Sequence, residues 1–384
     1  MKHKFLFSLL LAFAVGGEMV VGQTSTGDYA RQVNTLIGTK GTGLTSGYLY
    51  PGATYPYGMV QFTPSYFSKS SGFVINQLSG GGCDHMGNFP TFPVKGKLSM
   101  SPDNILNYRV NLSEEKGHAG YYETMVQEDI KAKLTVTERT GMANYEYPAG
   151  QQYGTVIIGG GISATPIEQA AVVITAPNKC EGYAEGGYFC GIRTPYKVYF
   201  VAEFDTDALE TGTWKRNELK PNSSFAEGEY SGVYFTFDVS KKKNVQYKIG
   251  VSYVSVENAR ENLKAENTGW DFVQIQSQAE AKWNHYLSKI EVEGTNPDRT
   301  TQFTHICTVP LFIRMYVVTS MENIWERISE CTNPVQNIIL LSVTGIPIAH
   351  RFSYWQCLIR KLLPILLFPI SCLQNSQAAL SLAG

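Results

Sequence analysis

The chain has 384 residues, 43% hydrophobic and 12% aromatic, with 33 acidic and 32 basic side chains and a formal net charge of −1. That length has room for two domains. The near-neutral balance leaves no electrostatic footprint for nucleic acid or an anionic membrane surface, so neither is expected as a partner.

Residues 1–22 read as a signal peptide. Lys2 and Lys4 precede an apolar core over 5–15, and small residues follow at Gly16, Gly17 and Gly22, with cleavage near Gly22. No cysteine directly follows the core, which argues against a lipid anchor. The mature chain is therefore expected to be exported, to the periplasm or the exterior.

From about residue 26 to 256 the pattern is mostly β. Val, Tyr, Phe and Thr alternate with polar residues, and Gly or Asn turns recur at short spacing. The segments 122–126, 131–138, 154–158, 196–205, 232–237 and 245–251 are predicted strands. Strands at this density without regular intervening helices predict a large antiparallel sandwich, assigned to residues 23–270. The aromatic residues Tyr48, Tyr50, Tyr55, Tyr57 and Phe89 have two readings, as ring platforms for a sugar or as core packing. Asp84 and His85 lie in a glycine-rich loop. There the carboxylate either caps a backbone amide or faces a ligand.

Residues 156–164 fit a strand followed by Gly-x-Gly-x-x-Ala, the pattern of a dinucleotide-binding turn. That chemistry requires a helix N-terminus after the glycines, within a parallel βαβ unit. Pro166 and the antiparallel surroundings predict a glycine turn between strands instead, with no cofactor. Cys180 and Cys190 flank a Gly- and Tyr-rich stretch read as a hairpin. In an oxidising compartment they either close it as a disulfide or remain two buried thiols. No His, Cys, Asp or Glu set has metal-ligand spacing.

Two helices are predicted next. One covers 256–267 with Ala259, Leu263 and Ala265. The other covers 275–290, with Ala279, Trp283, Tyr286, Leu287 and Ile290 on one face. Residues 271–303 are read as a helical linker. Composition then changes abruptly. Residues 304–384 hold only two of the 36 glycines, no aspartate, and four of the seven cysteines. Their apolar runs keep neither helical nor strand period. The stretch 362–373 is too short to span a bilayer and contains Pro364 and Pro369, so no membrane span is expected.

The genetic code offers a reason for the change. Joining the last base of each codon to the first two of the next forces a valine at Met315–Tyr316 and a glycine at both Met321–Glu322 and Trp325–Glu326. Over 312–326 the shifted frame permits HPNVCSDVNGEYMG, and over 341–351 it permits FSNWDTYRTQ. It also permits YTHLYRS just after Phe303 and GGALPRW over 377–384. One base lost near the Phe303 codon would make residues 304–384 an out-of-frame tail.

These strings, and three in-frame blocks, carry a family resemblance. The blocks are VNTLIGT at 33–39, YPGATYPYGMVQFTP at 50–64 and INQLSGGGCDHMGNFP at 75–90. Together they resemble glycoside hydrolase family 92, the calcium-dependent exo-acting α-mannosidases, over about residues 28–303. The first block runs on as Lys40-Gly41-Thr42-Gly43, where the family has a histidine-containing continuation. The resemblance implies a β-sandwich, linker helices and an (α/α)6 catalytic barrel. It also implies hydrolysis of terminal α-mannosidic bonds with inversion, using an acid and a base roughly 6.5–9.5 Å apart. Mannose-containing glycans are the implied partners. Calcium is the implied cofactor of the intact enzyme.

In the family the acid, base and calcium ligands lie in the barrel, so no catalytic residue and no metal ligand is assigned here. The candidate sugar contacts are the loop residues Gly38, Thr39, Gly80, Gly82, Cys83, Asp84 and His85. The chain is thus expected to be the sandwich half of the enzyme, without activity alone. The alternatives are a stand-alone carbohydrate-binding module and a gene remnant or sequence error.

Overall fold

The computed structural model describes residues 27–39, 49–65, 72–77, 79, 84–102, 111–189, 191–289 and 296–312, with side chains as far as Thr308. The predicted signal peptide, Tyr48, Gly80, Gly82, Cys83, Cys190, Ile290 and the tail beyond Phe312 lie outside these residues.

Among the described residues the chain is mainly β. The strands in chain order are β1 Ala53–Thr54, β2 Gln61–Pro64, β3 Phe73–Val74, β4 Thr91–Lys95, β5 Leu112–His118, β6 Tyr121–Val126, β7 Ile130–Val136, β8 Thr140–Glu146 and β9 Tyr153–Ile158. Then come β10 Ile167–Ala176, β11 Lys179–Phe189, β12 Ile192–Phe204, β13 Glu210–Lys215, β14 Glu218–Pro221, β15 Phe225–Glu227, β16 Ser231–Asp238 and β17 Asn244–Ser252. They form two antiparallel sheets. One has the order β1-β2-β3-β4-β9-β16-β13-β14, and the other β15-β10-β11-β12-β17-β8-β7-β6-β5. Strict alternation of buried and half-exposed residues along β6 marks a strand with one face inward. The inner faces share one core that includes Phe62, Phe92, Tyr122, Tyr145, Phe200, Phe204, Trp214 and Tyr247, all within 1% of full burial. Burying one such side chain stabilises the fold by roughly 1.5–3 kcal/mol.

A short helix, α1 Tyr29–Gln32, precedes the strands, and longer helices cover the outer face of the nine-stranded sheet. Helix α2 spans Val256–Glu266, capped by the Ser255 hydroxyl, which accepts from the Asn258 amide. Its Ala259 and Leu263 pack on Val201. Close approach requires Gly250 on β17, where a Cβ would sit 2.5 Å from the Ala259 carbonyl oxygen. Helix α3 spans Phe272–Leu287, capped by Asp271. Phe272 and Ile275 cover Met142, while Trp283 and Leu287 pack with Ala30, Val33 and Ala119. The Trp283 indole N–H donates to the Thr54 carbonyl at 2.7 Å, tying α3 to the edge strand β1 of the other sheet. Tyr286, expected on the buried face, is half-buried and meets the Tyr57 ring edge-on at 5.4 Å. A further helix, α4 Pro297–Phe312, was not among the predicted elements and runs through Phe303. Its start was nonetheless legible: the Asn296 side chain accepts from the Asp298 amide at 3.0 Å, and Pro297 occupies the first helical position.

Two sequence expectations resolve here. After β9 the glycines 159–161 form a turn that leads through residues 162–166 into β10, with no helix. β9 lies between antiparallel partners β4 and β16, so the dinucleotide reading fails on both counts. The disulfide between Cys180 and Cys190 is corrected. The stretch read as a hairpin is one continuous strand, β11, with Cys180 near its start and Phe189 at its end. At about 3.3 Å per residue its ends are tens of ångströms apart, against the ~4.4–6.8 Å between Cα atoms that a disulfide needs. Cys180 is instead a buried free thiol, and burial pushes its pKa up.

Candidate functional site

The predicted sugar loops meet at one edge of the smaller sheet. In the first loop Asn34 makes a side-chain turn, accepting from the Leu36 amide at 3.0 Å. Thr39 closes the loop with its hydroxyl donating to Leu36 O at 2.8 Å. Gly38 sits at φ +79°, and a Cβ there would lie 2.7 Å from the Leu49 side chain. An L side chain is thus excluded both by backbone strain and by space. Thr35 fastens the loop from below, its hydroxyl donating to Pro51 O at 2.7 Å.

The second loop reaches the same place. The Tyr50 amide donates to the Ser79 hydroxyl at 3.0 Å. Leu49 to Pro51 therefore form a seam, with Gly38 on one side and Ser79 on the other. Beyond the gap at residues 80–83, Asp84 is exposed and caps no backbone amide among the described residues. His85 is buried, its ring 5.4 Å from that of Phe189. Met86, Gly87 and Phe89 all adopt positive φ, so the segment doubles back sharply. Such left-handed backbone persists only where the surroundings hold it.

Those surroundings are a buried polar network that the sequence did not reveal. The Asn88 amide donates to Asn76 Oδ1 at 2.8 Å, and Asn76 Nδ2 donates to Asn88 Oδ1 at 3.0 Å. The same Asn88 oxygen accepts from the Tyr196 hydroxyl at 2.6 Å. Asn76 Nδ2 also lies 3.4 Å from the Tyr253 hydroxyl. Burial raises the pKa of both tyrosines, that of Tyr253 to about 12, so each stays a neutral hydroxyl, Tyr196 donating to Asn88 and Tyr253 accepting from Asn76. The partners come from residues 76, 88, 196 and 253, and no local pattern links positions so far apart.

The aromatic candidates divide. Phe89 is core, its ring 4.2 Å from that of Phe200. Tyr50 is buried, Tyr55 packs against the core, and Tyr57 grips α3 through Tyr286. For these four the packing reading holds. The hydroxyls of Thr35, Thr39 and Ser79 are buried and bonded within the seam, so the polar group left facing outward is the exposed carboxylate of Asp84, an acceptor for ligand hydroxyls.

The edge of the site toward the helices is electrostatically fixed. Glu280 on α3 accepts from Gln276 Nε2 at 2.7 Å, lies 2.8 Å from His118 Nε2 and pairs with Arg31 at 3.2 Å. Burial works to raise its carboxyl pKa. The hydrogen bonds from Gln276 and His118 and the charges of His118 and Arg31 outweigh that and hold it below the ordinary value. Among the described residues no three His, Cys, Asp or Glu side chains converge as a metal site would require. The described residues therefore supply no cluster of this kind for calcium.

Comparison with known proteins assigns the scaffold. The sequence model of the glycosyl hydrolase family 92 N-terminal domain matches residues 32–252, and that of the family 92 catalytic domain matches residues 258–312. The two matches meet at the junction of β17 and α2. A protein of Arthroderma benhamiae described as an uncharacterized secreted glycosidase is 27% identical over 312 residues, covering 70% of this chain and 39% of that protein. A family 92 α-mannosidase from Bacteroides thetaiotaomicron superimposes with a TM-score of 0.66 at 23% identity, over 76% of this chain and 42% of its own. The family 92 glycosyl hydrolase ccman5 gives 0.66 at 22% identity with the same coverage. The structural likeness establishes the fold, and the chain spans about two fifths of the length of these relatives. On the strength of the N-terminal-domain match, the chain belongs to glycosyl hydrolase family 92.

Proposed function

We propose that this chain is the sugar-facing sandwich half of an exported α-mannosidase, which with its complete barrel removes terminal mannose with inversion and calcium. The observation that carries the reading is the joining of two family loops, 34–39 and 76–89, across the Leu49–Pro51 seam of a family 92 sandwich. The exposed Asp84 carboxylate suits the hydroxyls of a glycan as an acceptor. Support for mannose comes from relatives. One solved family 92 α-mannosidase is described in complex with mannoimidazole, and another as an inverting mannosidase. Export is supported by the signal-like residues 1–22 and by the relative described as secreted. Among the described residues no helix is long and apolar enough to cross a membrane.

In this reading residues 23–270 form the sandwich unit and 271–303 the helical linker, while 304–384 replace the start of the barrel with an out-of-frame peptide. The chain alone then lacks the barrel's acid and base and releases no mannose. Three forced codon junctions support the shifted frame. Two measurements test the proposal. Purified chain is incubated with α-mannosides with and without calcium, and calcium-dependent mannose release would overturn the claim of inactivity. DNA sequencing through the Phe303 codon should show the lost base, and an unbroken frame would overturn the claim of a shift.

A further inference from the structure

The outer face of the nine-stranded sheet carries an open groove of about 570 Å³ beside the N-terminal end of α3. It exists because α2 stops at Glu266 and α3 starts at Phe272, so the connection crosses the sheet without filling it. Lys133 on β7, Asn144 on β8 and Gln246 on β17 are direct cross-strand neighbours and form its floor. All three are half-buried. Neither the Lys133 ammonium nor the Gln246 side-chain carboxamide is hydrogen-bonded to a described residue, although Asn144 accepts weakly from Asn244 at 3.4 Å. Tyr121 and Trp270 add aromatic lining, with the Lys248 ammonium 4.4 Å from the centroid of the indole. Val273, 67% exposed, extends the apolar rim.

We infer that this groove is a second saccharide-binding surface, for a short neutral oligosaccharide. The volume falls in the ~300–1,000 Å³ range of small-molecule sites. Carboxamides both donate and accept, which matches sugar hydroxyls, and an indole beside them offers a flat apolar surface to the C–H face of a pyranose. A polyanion would need several cations; here Lys133 is accompanied by Asp271 at the rim and, on β6, by Glu123 directly across the strands. The groove is separate from the loop seam. Val273 at the groove and Trp283, which bonds β1, are ten residues apart on α3, about 15 Å at the helical rise. The inference therefore stands independently of the function proposed for the loops. Its use to an exo-acting enzyme would be to hold a neighbouring part of a glycan while another end is processed.

The test uses the full chain, with mannotriose, cellotriose and a heparin-derived trisaccharide as probes, read by calorimetry and tryptophan fluorescence. Binding of a neutral trisaccharide is expected. Trp270→Ala and, separately, Gln246→Ala should weaken it about ten-fold or more, while Trp270→Phe retains part of it. Thermal melts show which variants fold, and Gln246→Ala, confined to a half-buried strand side chain, serves if Trp270→Ala does not. Three results each overturn the inference. The first is no binding by either neutral probe. The second is binding weakened by Asp84→Asn but not by the groove variants, which assigns the sugar to the loop seam. The third is tightest binding by the heparin fragment, lost with Lys133→Ala but not Trp270→Ala.

Discussion

Replacing Trp283 should weaken the attachment of the helical layer to the sandwich, and the structure sets the size of the effect. The side chain is fully buried, lies among Ala30, Val33, Ala119 and Leu287, and donates its indole N–H to Thr54 O at 2.7 Å. Trp283→Ala removes that packing and leaves a cavity, at a cost of ~3–5 kcal/mol. Part of it is the penalty for a Thr54 carbonyl left without its donor, ~1–3 kcal/mol. Trp283→Phe separates the two contributions: it keeps an aromatic ring in the cavity and loses the hydrogen bond, so it should cost about 1–3 kcal/mol. Against a typical total of ~5–15 kcal/mol these are large fractions. Urea unfolding of the full chain followed by circular dichroism measures both values. A loss below about 1 kcal/mol for Trp283→Ala would falsify the view that this residue anchors α3.

Three further outcomes are expected. Gly250→Ala places a methyl 2.5 Å from the Ala259 carbonyl oxygen, so it should destabilise the chain by ~1–3 kcal/mol in the same unfolding assay; an unchanged midpoint would show that α2 is not seated against β17. The Glu280 carboxyl pKa is depressed below 4.5 in the folded chain, so its stabilisation is present above that value and disappears as pH falls through the folded pKa. The stability gap between the parent chain and Glu280→Gln should therefore narrow on acidification from pH 6 to pH 3 (roughly, the window around an ordinary carboxyl), and a pH-independent gap would exclude the mechanism. Cys180 should resist alkylation in the native chain and react on unfolding, because it is a buried free thiol with a raised pKa. Non-reducing mass spectrometry that finds Cys180 linked to Cys190 would contradict the continuous β11.

Local pattern was enough to locate six of the strands that build the sandwich, β6, β7, β9, β12, β16 and β17, and the two helices that cover it. Alternation in 121–126 and the spacing of Ala279, Trp283 and Leu287 are written in neighbouring residues, because side-chain direction repeats every two residues in a strand and every 3.6 in a helix. The family blocks were legible for a similar reason, as contiguous loop segments. The stretch between Cys180 and Cys190 misled because glycine and tyrosine suit turns and strands alike, and only pairing with β10 and β12 makes it one straight strand. Tyr50 and Phe89 misled because an aromatic beside a glycine loop looks the same whether it faces sugar or core.

What sequence by itself determined was the class of fold and the family. What the tertiary structure decided was adjacency. It joined Gly38 to Leu49 and Tyr50 to Ser79, set Tyr196 and Tyr253 beneath Asn76 and Asn88, and opened a groove where α3 leaves the sheet. The physical reason is range. Backbone conformation and amphipathic period depend on residues a few positions apart, whereas these contacts bring distant segments together through the order of strands in the sheets.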